Sequence, residues 1–344
     1  MLLAAFLALA IPLAQGLPSS SASNGQGFNW ESTSSVLTFG DSYTFVSGTR
    51  GYPGYSWMGD ALNLDFTAQE LLTNKIIQNQ TGTSAGAPNW PEYLTGCAVE
   101  KGLSSPASCK TQLWDFAFAG ATISGKYLPL HHEWTTSLEN QVVQYLTYGH
   151  PVLVPRRIVS PKKTLVAIWI GINDITDSAR NATITSFPAF YNTLISAIFD
   201  SVSSLHSAGY KDFLFLNLPP IDLTPSGQNQ APEDRSPNAT QIALWNDILQ
   251  QHAQKFQRRH RDSNSFVYDT NSQLQAVLAS PADYGIVNTT NTCPGAKQPD
   301  IETNYEAYGC PTSLWTYFWY DSGHITSRVH QLVAEGLEHF LKRA

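Results

Sequence analysis

Five short apolar segments alternate along the chain with patterns typical of amphipathic helices. Two of the helical patterns are clear, over residues 187–206 and over residues 329–341. Strands that are apolar throughout and separated by helices are typical of a parallel sheet covered on both faces. The sequence therefore predicts an α/β fold, a three-layer α/β/α sandwich around a central parallel sheet. The predicted strands are residues 36–39, 113–118, 164–170, 212–218 and 265–268.

Residues 1–16 form an almost uncharged apolar run that ends in Ala14-Gln15-Gly16. The length of this run suits the hydrophobic part of a secretory signal peptide and is too short to cross a bilayer. No Lys or Arg precedes the run, and a buried N-terminal helix is the alternative. We predict that residues 1–16 are a cleaved signal peptide, that the protein is secreted, and that residues 17–344 form one domain.

The first predicted strand stops abruptly at Gly40-Asp41-Ser42. A hydroxyl at the end of such a strand faces the crevice in which α/β sheets bind ligands. Ser42 is therefore a candidate nucleophile, although Gly-Asp-Ser is also a favoured turn sequence.

A partner set for such a serine lies near the C-terminus, where Asp321 and His324 precede the last helical pattern. A serine needs a base that removes its proton, and the base needs a carboxylate that orients it. The three side chains must therefore converge in space. Taken alone, an Asp-x-x-His before a helix is more often a capping or surface feature.

Two further apolar segments end on residues that can donate hydrogen bonds. One runs into Gly120-Ala121-Thr122, and the other into Gly171-Ile172-Asn173-Asp174. The backbone N–H of Gly120 and the side-chain amide of Asn173 are the kinds of donor that a tetrahedral oxyanion requires. In this order and context, the blocks around Ser42, Gly120, Asn173 and His324 resemble those of the SGNH or GDSL hydrolase superfamily.

The resemblance spans nearly the whole mature chain, and it is closest to the fungal GDSL acetylesterases of carbohydrate esterase family sixteen. It rests on the long spacing between blocks, the Phe-Gly-Asp-Ser-Tyr opening, the Gly-Ala-Thr turn and the aromatic run before Asp321. The chain departs from many members at Ile325, where they have proline after the histidine. Microbial and plant GDSL lipases are the next neighbours.

The resemblance implies a flavodoxin-like fold and a serine esterase that needs no metal or cofactor. Ser42 would be the nucleophile, His324 the base and Asp321 the residue that orients it. The N–H groups of Ser42 and Gly120 and the Asn173 side chain would form the oxyanion hole. The implied substrate is a small acetylated saccharide from hemicellulose or another short-chain ester. A lipase or phospholipase for longer acyl chains and a catalytically silent glycan-binding wall protein are the alternatives.

The four cysteines fall into two close pairs, Cys97 with Cys109 and Cys293 with Cys310. Local pairing is favoured because each pair would close a short loop in an oxidising compartment. A zinc site is the alternative, but the chain has no Cys-x-x-Cys. N-glycosylation is predicted at some of the sequons, which begin at Asn79, Asn181, Asn238 and Asn288.

The net charge is −7 and only 14% of the residues are charged, which argues against a nucleic-acid partner. The basic cluster at residues 258–261 is more typical of a helix end than of a nucleic-acid site. Beyond residues 1–16, the longest apolar stretch is far too short to span a membrane. We therefore expect no nucleic-acid partner, no membrane span and a monomer.

Two irregular segments, residues 45–110 and 219–237, are expected to wall the site, because long loops in compact domains are usually functional. The aromatic run at residues 315–320 has two interpretations, a platform for sugar rings or acyl groups and simple core packing. The sequence does not choose between them. His131-His132-Glu133 lacks the second histidine of a zinc-protease helix and is interpreted as a surface segment.

Overall fold

The computed structural model describes residues 27–59 and 63–344. The predicted signal peptide, residues 1–16, lies outside the described residues. Within the described ranges, none of the helices has the length and apolar character needed to cross a membrane.

A five-stranded parallel sheet forms the centre of the molecule. The strands of the described residues are β1 Ser35–Gly40, β2 Arg50–Gly51, β3 Met58–Gly59, β4 Ile76–Gln78, β5 Gly102–Ser104, β6 Gln112–Asp115, β7 Thr164–Trp169, β8 Asp212–Leu216 and β9 Asn264–Tyr268. The central strands lie in the spatial order β6-β1-β7-β8-β9. The other strands form two small sheets, β2 with β3 and β4 with β5.

All five predicted segments are strands of the central sheet, and every residue of β1 and β7 is buried. Leu37 of β1 pairs with Trp114 on one side and with Val166 on the other. The strand β6 ends earlier than predicted, at Asp115, although the N–H of Phe116 still donates to Thr38 of β1. Burial of both faces explains why these strands are apolar throughout rather than alternating.

Helices surround the sheet in two rows. The helices are α1 Ala68–Thr73, α2 Trp90–Thr95, α3 Leu138–Gln144, α4 His150–Leu153, α5 Ile172–Ser178, α6 Phe187–Ser207, α7 Pro225–Gln228, α8 Ala239–Arg259, α9 Thr270–Ala279, α10 Ile301–Asn304 and α11 Ser327–Leu341. In one row α6 packs between α3 and α8, and in the other α11 packs between α2 and α9. The predicted α/β architecture with a central parallel sheet is therefore confirmed. A π-helical turn, Tyr145–Gly149, joins α3 to α4, and short 3₁₀ turns are Trp30–Ser32, Pro106–Ser108, Pro161–Lys163, Ile221–Leu223, Pro232–Asp234, Pro281–Tyr284, Tyr305–Tyr308 and Leu314–Thr316.

The two clearly predicted helices start at capping residues. The Ser186 side chain accepts from the N–H of Ala189 at the start of α6, and the Thr326 side chain accepts from the N–H of Val329 at the start of α11. Such a cap contributes about 1 kcal/mol. One face of α11, including Val333, is buried against the core, and each buried aliphatic side chain contributes about 1.5–3 kcal/mol.

Both predicted disulfides are present. Cys97 is bonded to Cys109 and Cys293 to Cys310, with Cα–Cα distances of 5.4 and 5.2 Å. The first bond ties the loop after α2 to the segment that enters β6. The second lies in a small separate cluster of buried side chains near the C-terminal end of the chain. The pairing therefore braces loops and leaves the central sheet to packing and hydrogen bonding.

Several carboxyl groups are fully buried, and this arrangement makes stability depend on pH. Burial raises the pKa of Asp41 from 3.8 to about 7 and that of Asp174 from 3.8 to about 8, and it raises those of Glu92 and Asp115 well above their ordinary values. At these four carboxyl groups the folded state therefore binds more protons than the unfolded chain once the pH exceeds the ordinary carboxyl pKa. The stabilisation from these protons is complete below that pH and is lost as the pH rises through the folded-state values.

We expect the free energy of unfolding to be at least about 2 kcal/mol lower at pH 8.5 than at pH 5.5, since one pKa unit corresponds to about 1.4 kcal/mol. Urea denaturation at the two pH values measures this difference. The Asp174→Asn variant should show a weaker pH dependence, because an amide replaces the protonated carboxyl. A wild-type stability that rises over this interval would contradict the expectation.

Candidate active site

Three neighbouring strands deliver the predicted site residues to one edge of the sheet. Ser42 follows β1, Gly120 follows β6 and Asn173 follows β7. From the carboxyl end of β1 the chain runs to β6 on one side, whereas from that of the adjacent β7 it runs to β8 on the other side. In open α/β sheets the ligand crevice lies outside the carboxyl ends of the strands at such a switch point.

The structure brings Ser42, His324 and Asp321 together in one row. Ser42 Oγ lies 2.8 Å from His324 Nε2, and His324 Nδ1 lies 2.8 Å from Asp321 Oδ1 and 2.9 Å from Oδ2. A carboxylate at Nδ1 favours the tautomer that carries its proton there, which leaves the Nε2 lone pair towards the serine. The geometry is that of a nucleophile, a base and an orienting group.

The loop that carries Asp321 and His324 also keeps the Asp321 carboxylate ionised. Burial alone would raise the pKa of Asp321, but the hydrogen bond and charge of His324 and the N–H groups of Gly323 and His324 hold it below its usual value. The carboxylate therefore stays ionised in neutral and mildly acidic solution. An ionised Asp321 stabilises a protonated His324, as proton transfer from a serine requires.

The turn that presents Ser42 depends on a close approach of two strands. A Cβ on Gly40 would lie 2.2 Å from the carbonyl oxygen of Trp169, so no larger residue fits there. The Gln141 side chain accepts from the Gly40 N–H and donates to the Gly40 carbonyl, at 3.0 and 2.8 Å. Asp41 Oδ1 accepts from the N–H of Tyr43 at 3.0 Å and closes the turn. Sequence reasoning missed Gln141, because only the tertiary fold brings it near β1.

Tyr43 joins the serine turn directly to the histidine loop. The hydroxyl of Tyr43 donates to the carbonyl of Gly323 at 2.6 Å, and the centre of its ring lies 5.5 Å from that of the His324 ring. The side chain is almost completely buried. No local pattern marked this role, since the two residues are far apart in sequence.

The predicted oxyanion donors still have N–H hydrogens that are available to a ligand. Asn173 Nδ2 donates to the carbonyl of Ala121 at 2.9 Å, which leaves its second hydrogen for a ligand. This bond also holds the Gly120 turn beside α5. Gly120 has a φ of +82°, in the left-handed region that favours glycine. Among the hydrogen bonds of residues 27–59 and 63–344, none uses the N–H of Ser42 or of Gly120.

Ser42, Asn173 and His324 line one small cavity of about 190 Å³. The predicted loop at residues 219–237 supplies much of its wall, including Thr224, Ser226 and Gln230. The full lining consists of Ser42, Tyr43, Ile172, Asn173, Thr176, Ile221, Thr224, Ser226, Gly227, Gln230, Ser236, Pro237, Gly323 and His324.

The segment at residues 45–110 differs from its predicted role as a second wall. It supplies none of the residues that line this cavity. Asn89 of this segment instead donates to the backbone carbonyls of Thr44 and Phe45, at 2.8 and 2.9 Å. The segment therefore braces the serine turn from inside the protein.

Packing in the core explains most of the aromatic run before Asp321. Tyr317, Phe318, Trp319 and Tyr320 are buried, whereas Trp315 is 46% exposed. The platform interpretation of this run is thus left with Trp315 alone, beside which Arg328 lies 5.8 Å from the ring centre.

A histidine cluster lies at the opposite end of the sheet, before β8 and β9. His206, His260 and Asp262 offer possible metal-ligand atoms within 4.8 Å of one another. Lys211 Nζ lies 3.0 Å from His206 Nε2 and 2.6 Å from Asp262 Oδ2. The ammonium group of Lys211 therefore occupies the place where a metal ion would bind. No local pattern predicted this cluster, because His206 is far along the chain from His260 and Asp262.

The predicted glycosylation sites differ in their accessibility. Asn79 and Asn181 are exposed, and Asn238 and Asn288 are half-buried. The Asn238 side chain accepts from the N–H of Gln241 and caps α8. Modification of these residues stays a prediction.

Comparison with known proteins identifies the family. The family model described as GDSL-like lipase/acylhydrolase matches residues 36–337. An acetylesterase of Thermothelomyces thermophilus is 23% identical over 309 residues, which cover 89% of this chain and 87% of the relative. An acetylesterase of Hypocrea jecorina is also 23% identical, over 335 residues that cover 87% and 86%.

Among solved structures, an acetylxylan esterase from Geobacillus stearothermophilus aligns with a TM-score of 0.41 and 14% identity over 93% of this chain and 96% of that chain. The predicted superfamily and the resemblance to fungal acetylesterases are confirmed by the family model and the two fungal relatives. The chain therefore belongs to the GDSL-like lipase/acylhydrolase family and is a carboxylic ester hydrolase.

Proposed function

We propose that this protein is a secreted serine esterase that removes acetyl groups from small acetylated saccharides. The observation that carries the proposal is the hydrogen-bonded row of Ser42, His324 and Asp321 at a cavity that Asn173 also lines. The two fungal acetylesterase relatives support the acetyl group as the acyl part.

The first half of the proposed reaction forms an acyl-enzyme. His324 Nε2 takes the proton of the Ser42 hydroxyl while Oγ bonds to the carbonyl carbon of the ester. The carbonyl oxygen becomes an oxyanion, which the N–H groups of Ser42 and Gly120 and the Asn173 amide stabilise. The bond to the leaving alcohol then breaks, and His324 returns the proton to that alcohol.

The second half releases the acid. Water takes the place of the alcohol, His324 removes one of its protons, and the resulting hydroxide bonds to the acyl carbon. The bond to Ser42 Oγ then breaks, His324 returns the proton to Oγ, and the carboxylic acid leaves. Throughout both halves Asp321 holds the imidazole in place and stabilises its protonated form.

The cavity supports a short acyl group and a polar alcohol. Its volume is about 190 Å³, and Thr176, Thr224, Ser226 and Gln230 place hydroxyl and amide groups along its wall. A long acyl chain gains about 0.8 kcal/mol for each methylene that becomes buried, but only where an apolar groove receives it. The hydroxyl groups of a sugar alcohol, in contrast, can donate to the oxygens of Thr176, Thr224 and Ser226, whose own hydrogens bond to backbone carbonyls.

We expect kcat/KM to be highest for acetate esters and to fall by at least about tenfold by octanoate, a loss of about 1.4 kcal/mol in transition-state stabilisation. A series of p-nitrophenyl esters from acetate to palmitate measures this, with the Ser42→Ala variant as the background. Acetylated xylo-oligosaccharides should release acetate. A kcat/KM that climbs through octanoate, with no acetate released from the sugars, would favour a lipase instead.

Secretion is part of the same proposal. The two disulfides and the fungal acetylesterase relatives support an oxidising compartment. N-terminal sequencing of the exported protein tests whether residues 1–16 are removed.

A further inference from the structure

His131 lies between the Gly120 turn and Asp177 of α5. A Cβ on Gly120 would lie 3.3 Å from His131 Nδ1 and 3.4 Å from its Cβ, so the histidine covers the Cα of Gly120. On its other side, His131 Nε2 lies 2.8 Å from Asp177 Oδ2. Asp177 follows Asn173 by four residues on α5, which places it about one helical turn further along the same face.

Other contacts hold the residues on both sides of Gly120. The N–H of Ala119 donates to Tyr55 and that of Ala121 to Phe118, Asn173 holds the carbonyl of Ala121, and Asp174 accepts from the N–H of Ile123 at 3.0 Å. His131 lies against the Cα of Gly120 itself. Without it, the peptide that carries the Gly120 N–H could rotate while the rest of the turn stays in place.

The surroundings of His131 favour its charged form. The hydrogen bond that Asp177 accepts raises the pKa of His131 despite the opposing effect of burial, and the charge of Asp177 acts in the same direction. The side chains of His131 and Asp177 are 35% and 29% exposed, and both residues lie at the surface, where water weakens the attraction between charges. The bond is charge-assisted, which makes it stronger than one between neutral groups.

We propose that His131 and Asp177 form a clasp that positions the Gly120 N–H for the oxyanion. This proposal rests on the proposed function, because it assigns a purpose to a donor of the same site. His131 is a positioning residue, since it acts through Gly120 and touches no reacting atom.

Kinetics on p-nitrophenyl acetate tests the clasp. His131→Ala and Asp177→Ala should each lower kcat by about tenfold with KM within about twofold of wild type, because a donor is displaced rather than removed. The double variant should fall no further than either single one, since both changes break the same contact. His131→Gln, which keeps an N–H donor, should recover much of the loss. His132→Ala is the matched control, because this exposed neighbour stacks on Trp134 instead.

Hydrogen exchange of the wild type and these variants gives a readout that is independent of turnover. Amides of residues 116–124 should exchange faster in His131→Ala and Asp177→Ala, and those of β9 should not. An unchanged kcat, losses that multiply in the double variant, or unchanged exchange in this segment would overturn the clasp. If the wild-type chain hydrolyses no ester, the proposed function fails, and the exchange of the Gly120 turn still decides whether the clasp holds it.

Discussion

Replacing Ser42 by alanine is expected to lower ester turnover by about 10⁴–10⁶-fold, the usual loss when a triad member that forms the covalent intermediate is removed. The variant has no oxygen to carry the acyl group, and His324 loses its partner. Residual activity would come from the oxyanion donors acting on a water molecule. The rate of p-nitrophenyl acetate hydrolysis measures the effect.

The fold should tolerate the Ser42→Ala change, because the Ser42 side chain is half-buried and bonds to His324 alone among the described residues. Circular dichroism and thermal unfolding should match those of the wild type. Ser322→Ala is a matched control, since this exposed serine lies between Asp321 and His324 in the same loop. It should keep activity within about threefold. Activity retained by Ser42→Ala would place the nucleophile elsewhere and refute the proposed triad.

The Asn173→Ala variant should lose about 10²–10³-fold in kcat with little change in KM, the usual size for one oxyanion-hole donor. The effect falls on kcat because the charge that the amide stabilises develops only in the transition state. Steady-state kinetics on acetate esters measures both parameters.

The same variant also loses the bond to the Ala121 carbonyl, so a control must separate catalysis from stability. Asn74 donates to the carbonyl of Trp57 at 2.6 Å in the segment that does not line the cavity. Asn74→Ala should lower the unfolding temperature and leave kcat nearly unchanged. If Asn173→Ala behaves in the same way, Asn173 is a structural residue and the oxyanion hole needs another donor.

The sequence predicted the strands of the sheet well, because burial on both faces leaves a strong local signal. The apolar run of β7 is one example, and the Gly171 that follows it marks the end of the strand. The order of the strands left no such signal. That β1 lies between β6 and β7 depends on crossover connections, which the composition of a strand does not encode.

The site was partly predictable for a related reason. Ser42, Asn173 and His324 belong to short motifs with chemical meaning, and the structure brings them to one cavity. The residues that hold the motifs in place had no local signal. Gln141 and Asn89 look like ordinary polar residues until the fold places them against the serine turn.

Loops were the least predictable part. Residues 45–110 are rich in Gly and residues 219–237 are rich in Pro, and both patterns are typical of irregular segments, yet only the second supplies residues to the cavity wall. Composition predicts that a segment is irregular but does not encode the direction in which it folds. The disulfides were an exception, since the short spacing of Cys97 and Cys109 already favoured their pairing.

The separation of 282 residues between Ser42 and His324 has a consequence for biosynthesis. Ser42, the proposed nucleophile, leaves the ribosome long before His324, the proposed base. The helix α11 follows His324 and contacts the N-terminal half through Ser327, which lies 2.8 Å from the Tyr93 hydroxyl and donates to the carbonyl of Pro88. Contacts between such distant parts of a chain form slowly. A nascent polypeptide thus holds the proposed nucleophile before its proposed base, and we expect no hydrolysis until folding has joined these two parts of the chain.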